Sequence, residues 1–167
     1  MAKANRMALV HSDIRGPLYE EALRMQHEGI PVVKLNTGNP AAFGFEMPES
    51  IRRALCENAT SATAYCDLRG MPQAREALAG AYCGDGVKGA HPDRIYLGNG
   101  VSELVSLSLS VLLNPGDELL MPTPCYTLWS NCARLADATP VYYRCDESAH
   151  WQPDLDDLRA KITPHTR

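Results

Sequence analysis

The chain has no surplus of positive charge. Its 167 residues carry 16 Lys plus Arg against 20 Asp plus Glu, a formal net charge of −4, and the two signs are interspersed. Nucleic-acid binding rests on clustered Lys and Arg that neutralise phosphates, so no nucleic-acid partner is expected. An apolar run of the roughly 18 residues that a membrane helix needs is also lacking. The best candidate, Val101 to Leu113, is interrupted by Ser102, Glu103, Ser106, Ser108 and Ser110, and no membrane span is expected. Residues 1–10 carry Lys3 and Arg6 but run into His11-Ser12-Asp13 in place of an apolar stretch with a cleavage site, which argues against a secretory signal. The cysteines (Cys56, Cys66, Cys83, Cys125, Cys132, Cys145) form no C-x-x-C pair. The histidines (His11, His27, His91, His150, His165) show neither H-E-x-x-H nor zinc-finger spacing, so no metal site is expected. No G-x-S-x-G elbow anchors serine hydrolysis. Free thiols in a cytoplasmic protein are the plain expectation, because a chain with 45% hydrophobic residues does not need disulfide staples.

What is present is ordinary globular composition, with 22% charged residues and 12 each of Gly and Pro. Pro17 to Glu28 places Leu18, Ala22 and Met25 on one helical face, with Pro17 suited to the start and Gly29 to the end. Residues 31–36 read as extended, and Thr37 to Gly44 as a shaped loop without regular structure. Helices are predicted over Pro48 to Asn58 and Pro72 to Cys83. From Arg94 the texture changes: Ile95-Tyr96-Leu97, Asp117 to Met121 and Val141-Tyr142-Tyr143 are short β-type runs separated by longer segments. This is the βαβ rhythm of an α/β sheet covered on both faces. Val105 to Val111 alternates with period two and alone would read as a strand. About 13 residues lie between the Gly98-Asn99-Gly100 breaker and the Asn114-Pro115-Gly116-Asp117 turn, too many for a typical strand, so a crossover helix is predicted. A last helix spans Asp154 to Ile162, with Asp154 as its N-cap. The chain then reaches Arg167 where the alternation would call for another strand.

The sharpest local feature is Leu97-Gly98-Asn99-Gly100-Val101-Ser102-Glu103, a Gly-rich turn between an apolar run and a helix. Such a turn makes an anion site from unpaired helix N–H groups and the positive end of the dipole. It is neither a dinucleotide fingerprint nor a P-loop, and a glycine pair that merely closes a tight turn is the alternative. Pro122-Thr123-Pro124-Cys125-Tyr126 follows the next strand and so falls at the same carboxyl end of the sheet, where open α/β sheets bind ligands. There Tyr126 could stack on a planar ring or be plain core. Tyr65 stands in a turn-rich stretch ahead of Asp67-Leu68-Arg69-Gly70. Lys3, Lys34, Lys88 and Lys161 all read as solvated surface lysines.

Together these segments resemble the N-terminal part of a class I aminotransferase, a pyridoxal-phosphate enzyme of fold type I, and most of all the bacterial alanine aminotransferases. Four blocks carry the resemblance: Asp13-Ile14-Arg15-Gly16-Pro17; Leu35-Asn36-Thr37-Gly38-Asn39-Pro40; Tyr65-Cys66-Asp67 with Gly70; and Gly98 to Leu104 continuing through Asn114-Pro115-Gly116-Asp117-Glu118 to Tyr126. The match extends through Cys145-Asp146-Glu147-Ser148 and Trp151 to Leu158. The resemblance implies a partial large-domain sheet with flanking helices over residues 46–167, preceded by an N-terminal helix and substrate-loop segment over residues 1–45. It implies that Asn99, Gly100 and Val101 cradle the phosphate of pyridoxal 5'-phosphate and that Tyr126 stacks on its ring. Tyr65 would reach a partner's cofactor across a homodimer, and Gly38 would meet the substrate carboxylate. Amino acid and 2-oxo acid substrates, alanine and 2-oxoglutarate foremost, are implied in the same way. The blocks that would supply the Schiff-base lysine and the substrate-binding arginine are not in these 167 residues. No catalytic residue is therefore expected within them, and the chain alone is expected not to transaminate. A relative with another substrate preference, or a non-catalytic interaction or regulatory module on the same scaffold, is the alternative.

Overall fold

The computed structural model describes residues 2–11, 16–35 and 37–167. Asp13, Ile14 and Arg15 of the first block, and Asn36 of the second, lie outside the described residues. The chain divides into two compact units, Met1–Pro17 with Gly98–Arg167, and Leu18–Leu97.

The sheet belongs to the first of these units. β1 (Glu118–Thr123) and β2 (Thr139–Asp146) run parallel, with Glu118 opposite Thr139 and Thr123 opposite Arg144. The short β3 (Gln152–Pro153) adds antiparallel to the end of β2. A parallel pair needs a crossover, and α5 (Leu128–Leu135) supplies it. The segment that alternates with period two is helical: α4 (Val101–Leu112) takes Val105 and Leu109 into the core. Two of its serines satisfy their hydroxyls on the helix, Ser106 Oγ donating to the Ser102 carbonyl (2.9 Å) and Ser110 Oγ to that of Ser106 (2.7 Å). Val105, Leu109, Leu113, Cys132, Ala133 and Ala138 form the core, with Leu119, Leu128 and Ala136 packed around it. Of these, the buried Val105, Leu109 and Leu113 side chains contribute about 1.5–3 kcal/mol each. Coverage of the sheet is thinner than the sequence predicts, because of the residues of β1 and β2 only Met121 is fully buried.

The turn into β1 is held by Asp117, a buried carboxylate that accepts from the Asn114 backbone N–H (2.8 Å) and side-chain amide (3.2 Å). Those bonds, joined by Arg167, hold its pKa below the usual carboxylate value. On the edge of β1 away from β2, the Glu118 N–H donates to the His165 carbonyl, and Thr166 makes a parallel bridge to Glu118. The N-terminal segment folds back on α5, where the Asn131 side chain pairs with the His11 backbone and Arg6 meets Asp137 at 3.0 Å.

α6 (Leu155–Ala160) starts at Asp154, whose side chain accepts from the N–H groups of Asp156 and Asp157. Asp157 in turn accepts from the Arg144 N–H and from Lys161, whose ammonium also donates to the Tyr142 carbonyl (2.6 Å). Lys161 is therefore a strut between α6 and β2, not the solvated lysine its sequence position predicts. The Asp157 N–H, with Arg144 behind it, lowers the pKa of Asp154, and the Lys161 hydrogen bond lowers that of Asp157. A depressed folded-state pKa contributes stability that is present above the unfolded value and lost as pH falls through the folded one. Protection of the α6 amides, taken relative to their intrinsic exchange rates, should thus be constant from neutral pH down to the ordinary carboxylate range and fall sharply below it. Equal protection of α6 at neutral pH and in strong acid would contradict this.

The second unit is built on helices. α1 (Pro17–His27) opens on proline and gives way to Gly29 at φ +77°, with Arg24 paired to both Glu21 and Glu28. α2 (Glu49–Asn58) leaves Ile51 and Leu55 about half exposed. α3 (Pro72–Gly84) buries Arg75 and Ala79. Within the predicted loop, Pro40–Phe43 forms a single 3-10 turn. Lys34 sits over the Tyr19 ring, 5.7 Å from its centre, so it too has a neighbour that the sequence did not reveal. The predicted strand Ile95-Tyr96-Leu97 is not one. Ile95 is extended (φ −110°, ψ 129°), but the Leu97 N–H goes to the Arg69 carbonyl (2.8 Å) and no ladder forms, because no described neighbour runs alongside to accept it.

No helix among the described residues is long and apolar enough to cross a membrane.

Candidate functional site

Two helices begin side by side at the carboxyl end of β1. α4 leads into β1 and α5 leads out of it, so both run opposite to the strand. Ser106 Oγ lies 3.3 Å from Cys132 Sγ. One residue is five positions past Val101 and the other four past Leu128, which sets the two helix starts level. The Gly98–Gly100 turn and the Pro124–Tyr126 turn therefore share one end of the sheet, as the sequence predicts.

Each glycine of the first turn has its own reason. A Cβ on Gly98 would lie 2.6 Å from Leu104 Cδ2 and 3.0 Å from Glu103 Oε2, so a larger residue there would push both side chains aside. Gly100 has open space around it but a backbone at φ +87°, ψ 166°, a region essentially closed to other residues. Glu103, at the third helical position, reaches back to accept from the Asn99 N–H, a variant of the capping box. No side chain caps α4, and its first backbone bond runs from Leu104 to Gly100 (3.4 Å). The N–H groups of Gly100, Val101 and Ser102 precede that bond and point to the exposed end, where the helix dipole favours an anion.

At the same end of the sheet, Tyr126 is 53% exposed in this chain. It lines a cavity of about 360 Å³ with Leu119, Leu120, Met121, Pro122, Cys125 and Trp129, an apolar wall suited to a flat ring. Burial pushes the Cys125 thiol pKa up, and Cys145 adds to the effect.

Tyr65 and Gly38 belong to the second unit. Tyr65 is fully exposed, and at Gly38 a Cβ would meet nothing within 4 Å. The turn that follows Tyr65 is braced by hydrogen bonds. Arg75, only 4% exposed, donates to the carbonyls of Gly70 (3.1 Å) and Pro92 (2.8 Å) and lies 3.5 Å from Asp67. Asp67 also accepts from the Arg69 N–H (2.8 Å) and guanidinium, which lowers its pKa. Gly70, at φ +102°, passes so close to Leu97 that a Cβ would sit 2.5 Å from its side chain. Sequence reasoning missed Arg75 and Glu103. The Glu at the third helical position was a usable signal, whereas a single Arg in an otherwise Ala-rich helix was not.

The family described as "Aminotransferase class I and II" matches residues 30–167. This chain belongs to that family. Among its relatives, the glutamate-pyruvate aminotransferase AlaA of Escherichia coli K12 is 47% identical over 165 residues, covering 99% of this chain and 41% of the relative. The alanine aminotransferase of Mycobacterium tuberculosis H37Rv is 44% identical over 167 residues, covering 99% and 39%. A crystal structure of an aminotransferase from Escherichia coli superposes with a TM-score of 0.93 at 47% identity, over 100% of this chain and 41% of that one. This aminotransferase chain thus spans about two fifths of the length of these relatives, and its fold is a portion of the fold type I architecture. The family works with pyridoxal phosphate. The donor set fits such a group: unpaired amides at a helix start for a phosphate, beside a half-exposed tyrosine and an apolar cavity for a ring.

Proposed function

We propose that this segment is the cofactor-phosphate and ring-stacking portion of an alanine aminotransferase that moves an amino group between alanine and 2-oxoglutarate. The observation that carries this proposal is the level start of α4 and α5, which sets the Gly100–Ser102 amides beside Tyr126. In it the N–H groups of Gly100 and Val101 hold the phosphate of pyridoxal 5'-phosphate, Asn99 flanks it, and Tyr126 lies against the ring. Glu103 keeps the turn closed by holding the Asn99 N–H. Tyr65 extends from the Arg75-braced turn toward the cofactor of a second subunit, and Gly38 offers its backbone to a substrate carboxylate. The complete protein is a cytoplasmic homodimer. When bound, the cofactor supplies the electron sink for the reaction.

Titration of pyridoxal phosphate against the fluorescence of Trp129, in a Trp151→Phe background, tests the site. Saturable quenching that inorganic phosphate competes away is expected. Tyr126→Ala should weaken it by roughly 2- to 12-fold, the equivalent of about 0.5–1.5 kcal/mol of stacking. Quenching indifferent to both phosphate and Tyr126 would overturn the assignment. The 167 residues alone should show no turnover of alanine with 2-oxoglutarate. Borohydride reduction with the cofactor should give no stoichiometric label on Lys3, Lys34, Lys88 or Lys161. A single labelled lysine would contradict this.

A further inference from the structure

The anion turn carries a negative side chain of its own. Glu103 accepts from the Asn99 N–H, and its Oε2 lies so near the Gly98 backbone that a Cβ there would be 3.0 Å away. In an ordinary capping box the glutamate takes the N–H of the N-cap residue. Here the N-cap is Gly100, and the carboxylate takes the amide one position earlier. The turn is thereby closed without drawing on the Gly100 N–H. The same bond closes a loop of chain from Asn99 to Glu103 whose interior members are Gly100, Val101 and Ser102, the residues whose amides precede the first helical bond. Consecutive backbone nitrogens are at most about 3.6 Å apart, so an anion oxygen on the Gly100 N–H sits within about 9 Å of the carboxylate. That is inside the screening length of about 10 Å at 0.1 M salt. Where the helix dipole attracts an anion, the Glu103 charge repels it.

We propose that Glu103 is a positioning residue with two opposed effects: its acceptor orders the turn, and its charge holds down the affinity of the turn for bare, multiply charged anions. A phosphate then stays when the flat ring attached to it also gains the apolar wall at Tyr126, and free inorganic phosphate is a poor occupant. This rests on the turn being the cofactor-phosphate site. Repulsion between one carboxylate and a dianion at this separation, in a water-like dielectric, weakens binding roughly 3- to 10-fold.

Glu103→Gln keeps an acceptor for the Asn99 N–H and removes the charge. In about 10 mM salt, where screening is weak, this variant should bind pyridoxal phosphate roughly 3- to 10-fold more tightly than the parent. The readout is Trp129 fluorescence in the Trp151→Phe background. Inorganic phosphate, measured by displacement, should gain by the same factor. In about 1 M sodium chloride, which shortens screening to about 3 Å, variant and parent should bind alike. A cap of purely structural importance predicts the opposite sign, because a neutral acceptor holds the turn less well. Exchange of the Leu104 amide, bonded to the Gly100 carbonyl, reports whether the turn is intact. Weaker binding with loss of that protection would reduce Glu103 to a cap, and unchanged binding with the turn intact would show that its charge does not reach the anion. Either result overturns the proposal, as does a gain that persists in high salt. Failure of parent and variant alike to bind either anion would overturn the cofactor-phosphate reading itself, and this proposal with it.

Discussion

Truncating Leu109 to alanine should destabilise the unit that holds the sheet by about 2–5 kcal/mol, the cost of a cavity left in a packed core. Leu109 is 5% exposed and sits in the layer where α4 meets α5, among Val105, Leu113, Cys132 and Ala133. Neither helix can collapse far into the gap, because the Ser106–Cys132 contact and the turn at Asp117 fix their spacing. Urea unfolding followed by circular dichroism measures the effect, and a change below about 1 kcal/mol would show that this layer does not carry the core. The loss should reach function as well. The anion turn and Tyr126 are neighbours only because the two helices start level, so Leu109→Ala should weaken pyridoxal phosphate binding although Leu109 is remote from the ligand. Leu109→Met, which keeps the volume, should restore most of both.

Arg75→Met should cost the helical unit about 3 kcal/mol, because it removes a buried cation whose acceptors cannot find water in its place. The carbonyls of Gly70 and Pro92 lose their donor, and Asp67 keeps only Arg69. Hydrogen exchange reads the damage locally. The Gly70 N–H, bonded to the Asp67 carbonyl, and the Leu97 N–H, bonded to that of Arg69, should exchange much faster than in the parent chain. Amides of α4 and α5 serve as the internal reference and should not change. Unchanged protection at Gly70 would mean that Arg75 is not what holds the turn beneath Tyr65. In a dimer of the complete protein, the same substitution should loosen the arm that carries Tyr65 without touching the Gly98–Gly100 turn.

Much of the architecture is legible in the sequence because local chemistry and global fold agree. Pro17 and Pro72 open helices, Gly29 closes one, Asp154 caps another, and Asn114 to Asp117 forms the turn into β1. Val105 to Val111 shows where pattern fails and length succeeds. The alternation is that of a strand, but the crossover needs a helix. Ile95 to Leu97 fails for the opposite reason: its composition suits a strand, yet a strand exists only by virtue of a neighbour, and composition does not say whether one is there. Lys161 and Arg75 were unreadable for a related reason. Whether a long cationic side chain is solvated or braced depends on carbonyls that are distant in sequence, Tyr142 for one and Pro92 for the other. Of the site, the glycine turn and Tyr126 stand out in the sequence because turn residues and strand ends are local signals.

The serine-and-leucine alternation in α4 has a further consequence for how the chain is made. Until α5 arrives to cover Val105 and Leu109, only the local backbone bonds of α4 and the Glu103 cap hold that stretch helical, and its serines, bonded back to the carbonyls of Ser102 and Ser106, add little to them. Two unfolded copies can satisfy the same pattern by pairing with each other, apolar face to apolar face. Refolding yield should therefore fall as protein concentration rises, and a single lysine placed at the exposed position Ser108 should relieve that dependence while leaving the native helix intact.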